Sequence, residues 1–124
     1  MMLPVTSALT AALGLLLVVL SFAVSLKRMK VGTEIGVGED EGLLRRIRAQ
    51  GNFIEYVPIA LILCALAELR GASVSWLWAI AGLLLLGRLL HATGMLGGST
   101  PLRATGMLAT HAALLTGAAA QFVA

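Results

Sequence analysis

The sequence has little charge, few aromatic residues and almost no cysteine. Only 12% of its 124 residues are charged, 59% are hydrophobic, and the mean hydropathy is +0.96. A soluble domain carries about 25% charged residues, so this composition excludes an ordinary soluble fold and indicates a membrane protein. The single cysteine, Cys64, excludes an intrachain disulfide, and we interpret it as a buried small hydrophobic residue.

Long apolar runs occupy most of the chain. A membrane-spanning helix needs about 20 residues, and four windows are long and apolar enough: residues 4–26, 43–69, 73–94 and 102–123. The first window has no basic residue before it and ends in a basic cluster, so we interpret it as a spanning helix and not as a signal peptide. The expected fold is therefore an all-α membrane protein, a four-helix transmembrane bundle in a single domain of residues 1–124.

Basic residues lie mostly on one side of the four predicted spans. Eight of the nine flank the first and third connections, and Arg70 alone lies at the second. The positive-inside rule then predicts that the first and third connections are cytoplasmic and that both termini lie outside. Basic residues beside a bilayer normally meet lipid phosphates, so we expect membrane lipids and no nucleic acid as partners.

Local signals mark one helix start and one helix contact. The acidic run of residues 39–41 precedes the second span, and carboxylates favour a helix N-terminus, so we expect this run to cap that helix. In the fourth span, Ala109, Ala113 and Gly117 recur every four residues, which predicts close contact with another helix.

The second span carries several polar residues in the stretch RAQGNFIEYVP, residues 48–58. Arg45, Arg48, Asn52 and Glu55 follow one another at steps of three or four residues, so they share a helix face. At 1.5 Å per residue, Glu55 lies roughly 10 Å deeper than Arg48. A carboxylate exposed to lipid there costs about 2.5–3.5 kcal/mol. Interhelical hydrogen bonds average only about 0.6 kcal/mol, so we expect this face to line a polar cleft.

Cationic residues of the third and fourth spans converge on the same end. Arg88 and His91 lie three residues apart on one helix face, and Arg103 begins the fourth span at that level. Several arginines suit a ligand with more than one anionic group, and Glu55 suits an ammonium. Glutathione has both, with a thiol that is nucleophilic when ionised, and Arg103 is the free candidate to stabilise that thiolate. Other zwitterionic peptides and lipid headgroups satisfy the same charges.

The stretch RAQGNFIEYVP, on the second of four short helices, resembles the signature of the MAPEG family, the membrane-associated proteins of eicosanoid and glutathione metabolism. The resemblance covers the whole chain. It implies a glutathione-dependent transferase or peroxidase that acts on small hydrophobic electrophiles from the bilayer. It also implies a homotrimer that binds glutathione, its co-substrate, between neighbouring subunits toward the cytoplasmic side. No metal site is expected.

The resemblance also implies roles for individual residues. The catalytic residue is Arg103, which matches the arginine that activates the thiol, and His91 is a candidate for the same site. Basic residues that end the first helix contribute in the family, which points to Lys27 or Arg28 without deciding between them. The second-helix residues that match glutathione-binding positions are Arg48, Gln50, Asn52, Glu55 and Tyr56.

The chain departs from those family members that conjugate strongly. They have tyrosines on the third helix and a serine or tyrosine soon after the arginine of the fourth, where this chain has His91, Met95, Ala104 and Met107. A non-catalytic protein that binds glutathione or lipid is therefore an alternative. A small multidrug transporter is a further alternative, because such transporters are also four-helix chains, but their carboxylate lies on an aromatic-lined first helix. A packing role stays open for His91 and is favoured for His111.

Overall fold

The computed structural model describes residues 2–123 and consists of four α-helices. α1 runs Pro4–Val31, α2 runs Glu41–Leu69, α3 runs Val74–Gly97 and α4 runs Thr100–Val123, and the described residues form no strand. The shortest helices have 24 residues and are about 36 Å long, more than the roughly 30 Å of a hydrocarbon core. All four are long and apolar enough to cross a membrane. The predicted all-α four-helix bundle is confirmed.

The helices extend beyond the bounds predicted from hydropathy. α1 continues past Leu26 through the basic cluster to Val31, and Gly32 ends it in a left-handed conformation with φ of 75°. Lysine and arginine are good helix formers and favour a helix C-terminus, so α1 outlasts its apolar part. α3 likewise continues to Gly97, which leaves a two-residue turn before α4. Hydropathy therefore predicted the ends of α2 and α4 correctly but placed the ends of α1 and α3 too early.

Asp40 caps the start of α2. Its Oδ1 accepts a hydrogen bond from the backbone N–H of Leu43 at 2.8 Å, and Lys27 Nζ lies 3.6 Å from the same oxygen. The Leu43 N–H, with a smaller contribution from the charge of Lys27, holds the pKa of Asp40 below its ordinary value of 3.8. The prediction that the acidic run caps α2 is confirmed at Asp40.

A carboxylate of α2 caps α1 at the opposite end of the bundle. Glu68 accepts hydrogen bonds from the backbone N–H groups of Val5 and Thr6, at 2.9 and 2.8 Å. Pro4 has no N–H to satisfy in the first turn. Because its first turn is held by a side chain of α2, α1 is fixed against the C-terminal end of α2.

Three glycines allow α3 and α4 to form the most extensive helix contact in the bundle. A Cβ at Gly87 would lie 2.9 Å from the carbonyl oxygen of Gly106. Cβ atoms at Gly94 and Gly106 would overlap the backbones of Arg103 and His91, respectively. Small residues permit such close approach of two backbones in membrane proteins. This glycine contact places the end of α3 directly beside the first turns of α4.

The small-residue repeat predicted on α4 has a different neighbour. Ala113 and Gly117 are buried and Ala109 is half-buried. Gly117 packs against Leu63 of α2, where an added Cβ would lie 2.9 Å from Leu63 Cβ. The predicted close contact is therefore confirmed at Gly117, but the tightest approach of α4 is to α3, through Gly106.

Candidate functional site

A polar cavity lies at the end of the bundle where α2 begins, α3 ends and α4 begins. Its volume is about 540 Å³, within the roughly 300–1,000 Å³ of small-molecule sites. These three helices and the turn between α3 and α4 supply its lining. The lining residues are Glu41, Leu44, Arg45, Arg48, Asn52, His91, Met95, Gly98, Thr100, Arg103, Ala104 and Met107.

Positive charge dominates this lining. Arg45, Arg48 and Arg103 contribute guanidinium groups, and Glu41 is the one acidic side chain among the described residues that line the cavity. Glu41 is already bound to Arg45, with Oε1 2.6 Å from Nη2. The first turn of α4 also lines the cavity, and the N–H groups of a first helical turn carry the positive end of the helix dipole. The cavity is therefore suited to an anion.

Arg88 of α3 lies behind the cavity and is only 1% exposed. Its Nη2 donates to Asn52 Oδ1 at 2.7 Å and lies 3.1 Å from His91 Nδ1, while its Nη1 donates to Thr110 Oγ1 at 3.3 Å. The guanidinium carbon is 6.0 Å from the centre of the Phe53 ring, which is within reach of a cation–π contact. Arg88 thereby joins α2, α3 and α4 beneath the cavity.

Arg88 has no salt-bridge partner in the part of the chain that the structure describes. The Nε of Arg88 is the one buried side-chain nitrogen or oxygen of residues 2–123 that has no hydrogen-bond partner. Buried charges are usually paired, so this guanidinium adds uncompensated positive charge below Asn52 and His91, which line the cavity.

The start of α4 places Arg103. Ser99 accepts a hydrogen bond from the Arg103 N–H through its carbonyl oxygen at 3.1 Å, and from the Leu102 N–H through its Oγ at 3.4 Å. Gly94 has no side chain to obstruct the Arg103 backbone, which therefore lies against α3. The Arg103 side chain is exposed and reaches the cavity lining.

Four of the residues predicted for the site line this cavity: Arg48, Asn52, His91 and Arg103. Asn52 and His91 are almost fully buried, whereas Arg48 and Arg103 are exposed. Three different helices supply them, so the motif of α2 and the arginine of α4 meet only in the folded bundle. Their role in binding glutathione stays a prediction.

Two further predicted residues lie outside the cavity and bond within their own chain. Gln50 donates a hydrogen bond to Ser21 Oγ of α1 at 2.9 Å. Arg28 donates to the carbonyl oxygens of Thr33 and Gly36, at 3.3 and 2.7 Å, and so holds the first connection. Lys27, the alternative to Arg28, lies beside the cap of α2.

Glu55 and Tyr56 also lie outside the cavity. Glu55 is exposed and lies on the same face of α2 as Arg48, but about 10 Å deeper along the helix axis. Tyr56 is half-buried, and its ring meets the His111 ring edge-on at 5.5 Å. His111 is exposed but contacts α2 through this ring pair. A place for Glu55 in the site stays a prediction that depends on a neighbouring protomer.

Sequence reasoning missed one contributor to the site. Arg45 was expected on the face of α2 that lines a polar cleft, and it lines the cavity. Thr110 accepts a hydrogen bond from Arg88, and no sequence pattern marks one threonine of a small-residue helix as a partner for a buried arginine.

Comparison with known proteins places these residues in a family context. A profile of the MAPEG family matches residues 6–123 of the chain. The inner membrane protein YecN of Escherichia coli strain K12 is 42% identical to it over 111 residues, which cover 88% of this chain and 84% of that protein. The inner membrane protein YecN of Escherichia coli O6:H1 matches to the same extent. No solved structure matches the chain significantly.

Proposed function

The chain belongs to the MAPEG family, and from that premise we propose that it is a glutathione-dependent transferase or peroxidase that acts on hydrophobic electrophiles. It is an integral membrane protein with several spans. The observation that carries the proposal is the meeting of Arg48, Asn52, His91 and Arg103 around one polar cavity.

The donors that line the cavity support glutathione as the co-substrate. Glutathione has two carboxylates, and Arg45 and Arg48 offer forked N–H donors that match a carboxylate with two parallel hydrogen bonds. The volume of about 540 Å³ is that of a site for drug-sized ligands, the size class of glutathione. Glu41 is the only acid among the lining residues and is bound to Arg45, so little negative charge opposes an anionic ligand.

Arg103 has the catalytic role in this proposal. The thiolate sulfur of bound glutathione attacks an electrophilic carbon and forms a C–S bond as the leaving group departs with its electron pair, or it attacks a peroxide oxygen as the O–O bond breaks and an alkoxide leaves. Cationic groups and helix N-termini favour the thiolate. Arg103 provides a cationic group, and it lies at the first turn of α4, which also lines the cavity. A positive charge that is already in place, such as that of Arg103, stabilises the negative charge of the transition state. Met95 and Met107 give the same cavity an apolar part, which suits a substrate that arrives from the bilayer.

A homotrimer with sites between protomers is part of the proposal. Glu55 is exposed on α2, and a carboxylate that faces lipid costs about 2.5–3.5 kcal/mol. A neighbouring protomer packed on this side of α2 removes that cost and gives Glu55 access to the ammonium of a ligand. The cavity lies at the end with the basic first and third connections, so the positive-inside rule assigns it to the cytoplasmic side and both termini to the outside.

Thiolate absorbance tests the catalytic role. Glutathione added to the purified protein should produce the ultraviolet absorbance of a thiolate, and Arg103→Ala should abolish it. The matched control is Arg70→Ala, because Arg70 is an exposed arginine at the opposite end of α2. An unchanged signal in Arg103→Ala, or its equal loss in Arg70→Ala, contradicts the assigned role.

Isothermal titration with glutathione tests the binding role separately. Arg48→Ala should weaken binding at least about ten-fold, because a hydrogen bond to a charged group contributes about 1.5–3 kcal/mol. Glu55→Gln should weaken binding only when the protein is assembled, which sedimentation of the same sample checks. A wild-type protein that gives no heat of binding refutes the proposal.

A non-catalytic protein that binds glutathione or lipid is the second candidate. Met95, Ala104 and Met107 all line the cavity, and none offers a hydroxyl group to a thiolate or to a leaving oxygen. This candidate predicts affinity for glutathione without a thiolate signal and without turnover. Conjugation of a hydrophobic electrophile by the purified protein excludes it.

A further inference from the structure

Arg88 contacts two side chains of the cavity lining at atoms that must accept hydrogen bonds. Asn52 and His91 can each act as donor and as acceptor, whereas an arginine has five N–H donors and no acceptor. The Nη2 of Arg88 lies 2.7 Å from Asn52 Oδ1 and 3.1 Å from His91 Nδ1. The two hydrogens on Nη2 therefore match two acceptors, one from α2 and one from α3.

This contact decides the tautomer of His91. Because Nδ1 accepts from Arg88, the proton of the neutral ring must lie on Nε2. A second proton on Nδ1 would turn an N–H toward the guanidinium and bring two cations together. No carboxylate of residues 2–123 forms a salt bridge with either side chain, and Arg48 and Arg103 add two more cations to the same cavity.

The contact also orients Asn52. Its Oδ1 is occupied by Arg88, so its amide nitrogen, with two N–H donors, is left for the cavity. No other described residue hydrogen-bonds Asn52 Nδ2 or His91 Nε2. Arg88 Nε is the only buried unpaired polar atom of the described side chains, so both nitrogens keep accessible surface, and both residues line the cavity.

We propose that Arg88 is a positioning residue that holds Asn52 and His91 as hydrogen-bond donors toward the cavity, so that the site selects carboxylate and thiolate groups. The inference rests on the proposed function and deepens it. It assigns His91 as a donor to the bound anion and excludes it as the base that takes the thiol proton. That proton passes instead to water, which reaches the exposed Arg48 and Arg103 side chains.

The tautomer of His91 can be measured without any ligand. Long-range proton–nitrogen correlation spectra of histidine-labelled protein distinguish the two tautomers, at a pH above the usual histidine pKa of about 6.5. The chain has two histidines, so His91→Gln assigns the signal and His111→Gln is its matched control. We expect a single Nε2–H tautomer at His91. A predominant Nδ1–H tautomer, or a mixture of both, overturns the proposal whether or not the protein binds glutathione.

Two amide substitutions separate the ring nitrogens of His91. The side-chain amide of glutamine reaches the place of Nε2, and that of asparagine reaches the place of Nδ1. We expect glutathione affinity to fall in both variants, and to fall at least about ten-fold further in His91→Asn than in His91→Gln, the loss of one hydrogen bond to a charged group. Equal affinity in the two variants contradicts the donor role.

Substitution of Arg88 tests its positioning role. Arg88→Lys keeps a charged group with donors only, whereas Arg88→Met keeps the length and loses both charge and donors. The Nε2–H tautomer should persist in Arg88→Lys, and both tautomers should occur in Arg88→Met. A single Nε2–H tautomer in Arg88→Met shows that another group sets it. If Arg88→Met does not fold, the wild-type spectrum and the two His91 variants still decide the proposal.

Discussion

Gly94→Ala should push the first turn of α4 away from α3. The added Cβ would overlap the backbone nitrogen of Arg103 and lie 2.8 Å from the carbonyl carbon of Leu102. Carbon atoms in contact prefer a separation of about 3.5–4.0 Å. Because the obstructing atoms belong to the backbone, no side chain can rotate away. The two helices must therefore separate by about 0.7 Å or more.

This displacement should affect both stability and the site. Overpacking of this kind costs about 1–3 kcal/mol, partly offset by the helix propensity of alanine, which exceeds that of glycine by about 1 kcal/mol. Arg103 moves with the turn, and misplacing a catalytic geometry by about 1 Å costs about 100-fold in rate. We therefore expect Gly94→Ala to lower turnover by about 100-fold and to weaken thiolate formation. The free energy of unfolding should fall by no more than about 1–3 kcal/mol.

Gly82→Ala is the matched control, because it makes the same substitution in the same helix with no atom within 4 Å of the added Cβ. Thermal unfolding in detergent and glutathione-dependent thiolate absorbance are measured for both variants. The unfolding midpoint should fall in Gly94→Ala and stay or rise in Gly82→Ala, and only Gly94→Ala should weaken the absorbance. Variants that behave alike in both assays refute the reasoning.

Three further substitutions test contacts elsewhere in the bundle. Glu68→Gln leaves one good acceptor for the start of α1 and should lower the free energy of unfolding by about 1 kcal/mol; an unchanged unfolding midpoint argues against the cap. The pKa of Asp40 is lowered by the Leu43 N–H, so its stabilisation is complete above pH 3.8 and is lost as the pH falls through the folded-state pKa. At pH values below 3.8, the thermal unfolding midpoint of the wild type should therefore fall more than that of Asp40→Asn. Midpoints that change with pH in parallel contradict this. Thr110→Val leaves a buried Arg88 donor without an acceptor and should cost about 1–3 kcal/mol, whereas Thr110→Ser should cost less; equal midpoints for the pair count against that hydrogen bond.

The number of helices could be predicted from the sequence, because the bilayer thickness sets the length of each apolar window. The end of α1 could not, because Lys27 and Arg28 leave the apolar window and remain helical until Gly32 adopts a positive φ. Hydropathy reports the surroundings of a residue, whereas backbone conformation ends a helix. The contact of Gly87 with Gly106 could not be predicted either. Several small residues of α4 could form a close helix contact, and the rotation of each helix about its axis determines which of them does.

The α2 part of the candidate site could be predicted for a simple reason. Arg48 and Asn52 share a helix face, and polar groups at that depth avoid lipid, so both were expected to line a cleft. The same argument could not tell which polar residues line the cavity and which lie behind its lining. Arg88 lies beneath the lining because Thr110 and Asn52 accept its hydrogen bonds. Glu55 shares the helix face of Arg48 but lies about 10 Å deeper along α2, beyond the lining of the cavity.

The hydrogen bonds of Arg88 reach both backward and forward along the chain, because Asn52 precedes it by 36 residues and Thr110 follows it by 22. During synthesis α3 therefore meets the bilayer before one of its polar partners exists. An arginine inside an inserting helix costs up to about 2.5–3.5 kcal/mol. We expect the last two helices to enter the membrane together as a hairpin, so a nascent chain truncated after Gly97 should insert its third helix less efficiently than the full-length chain.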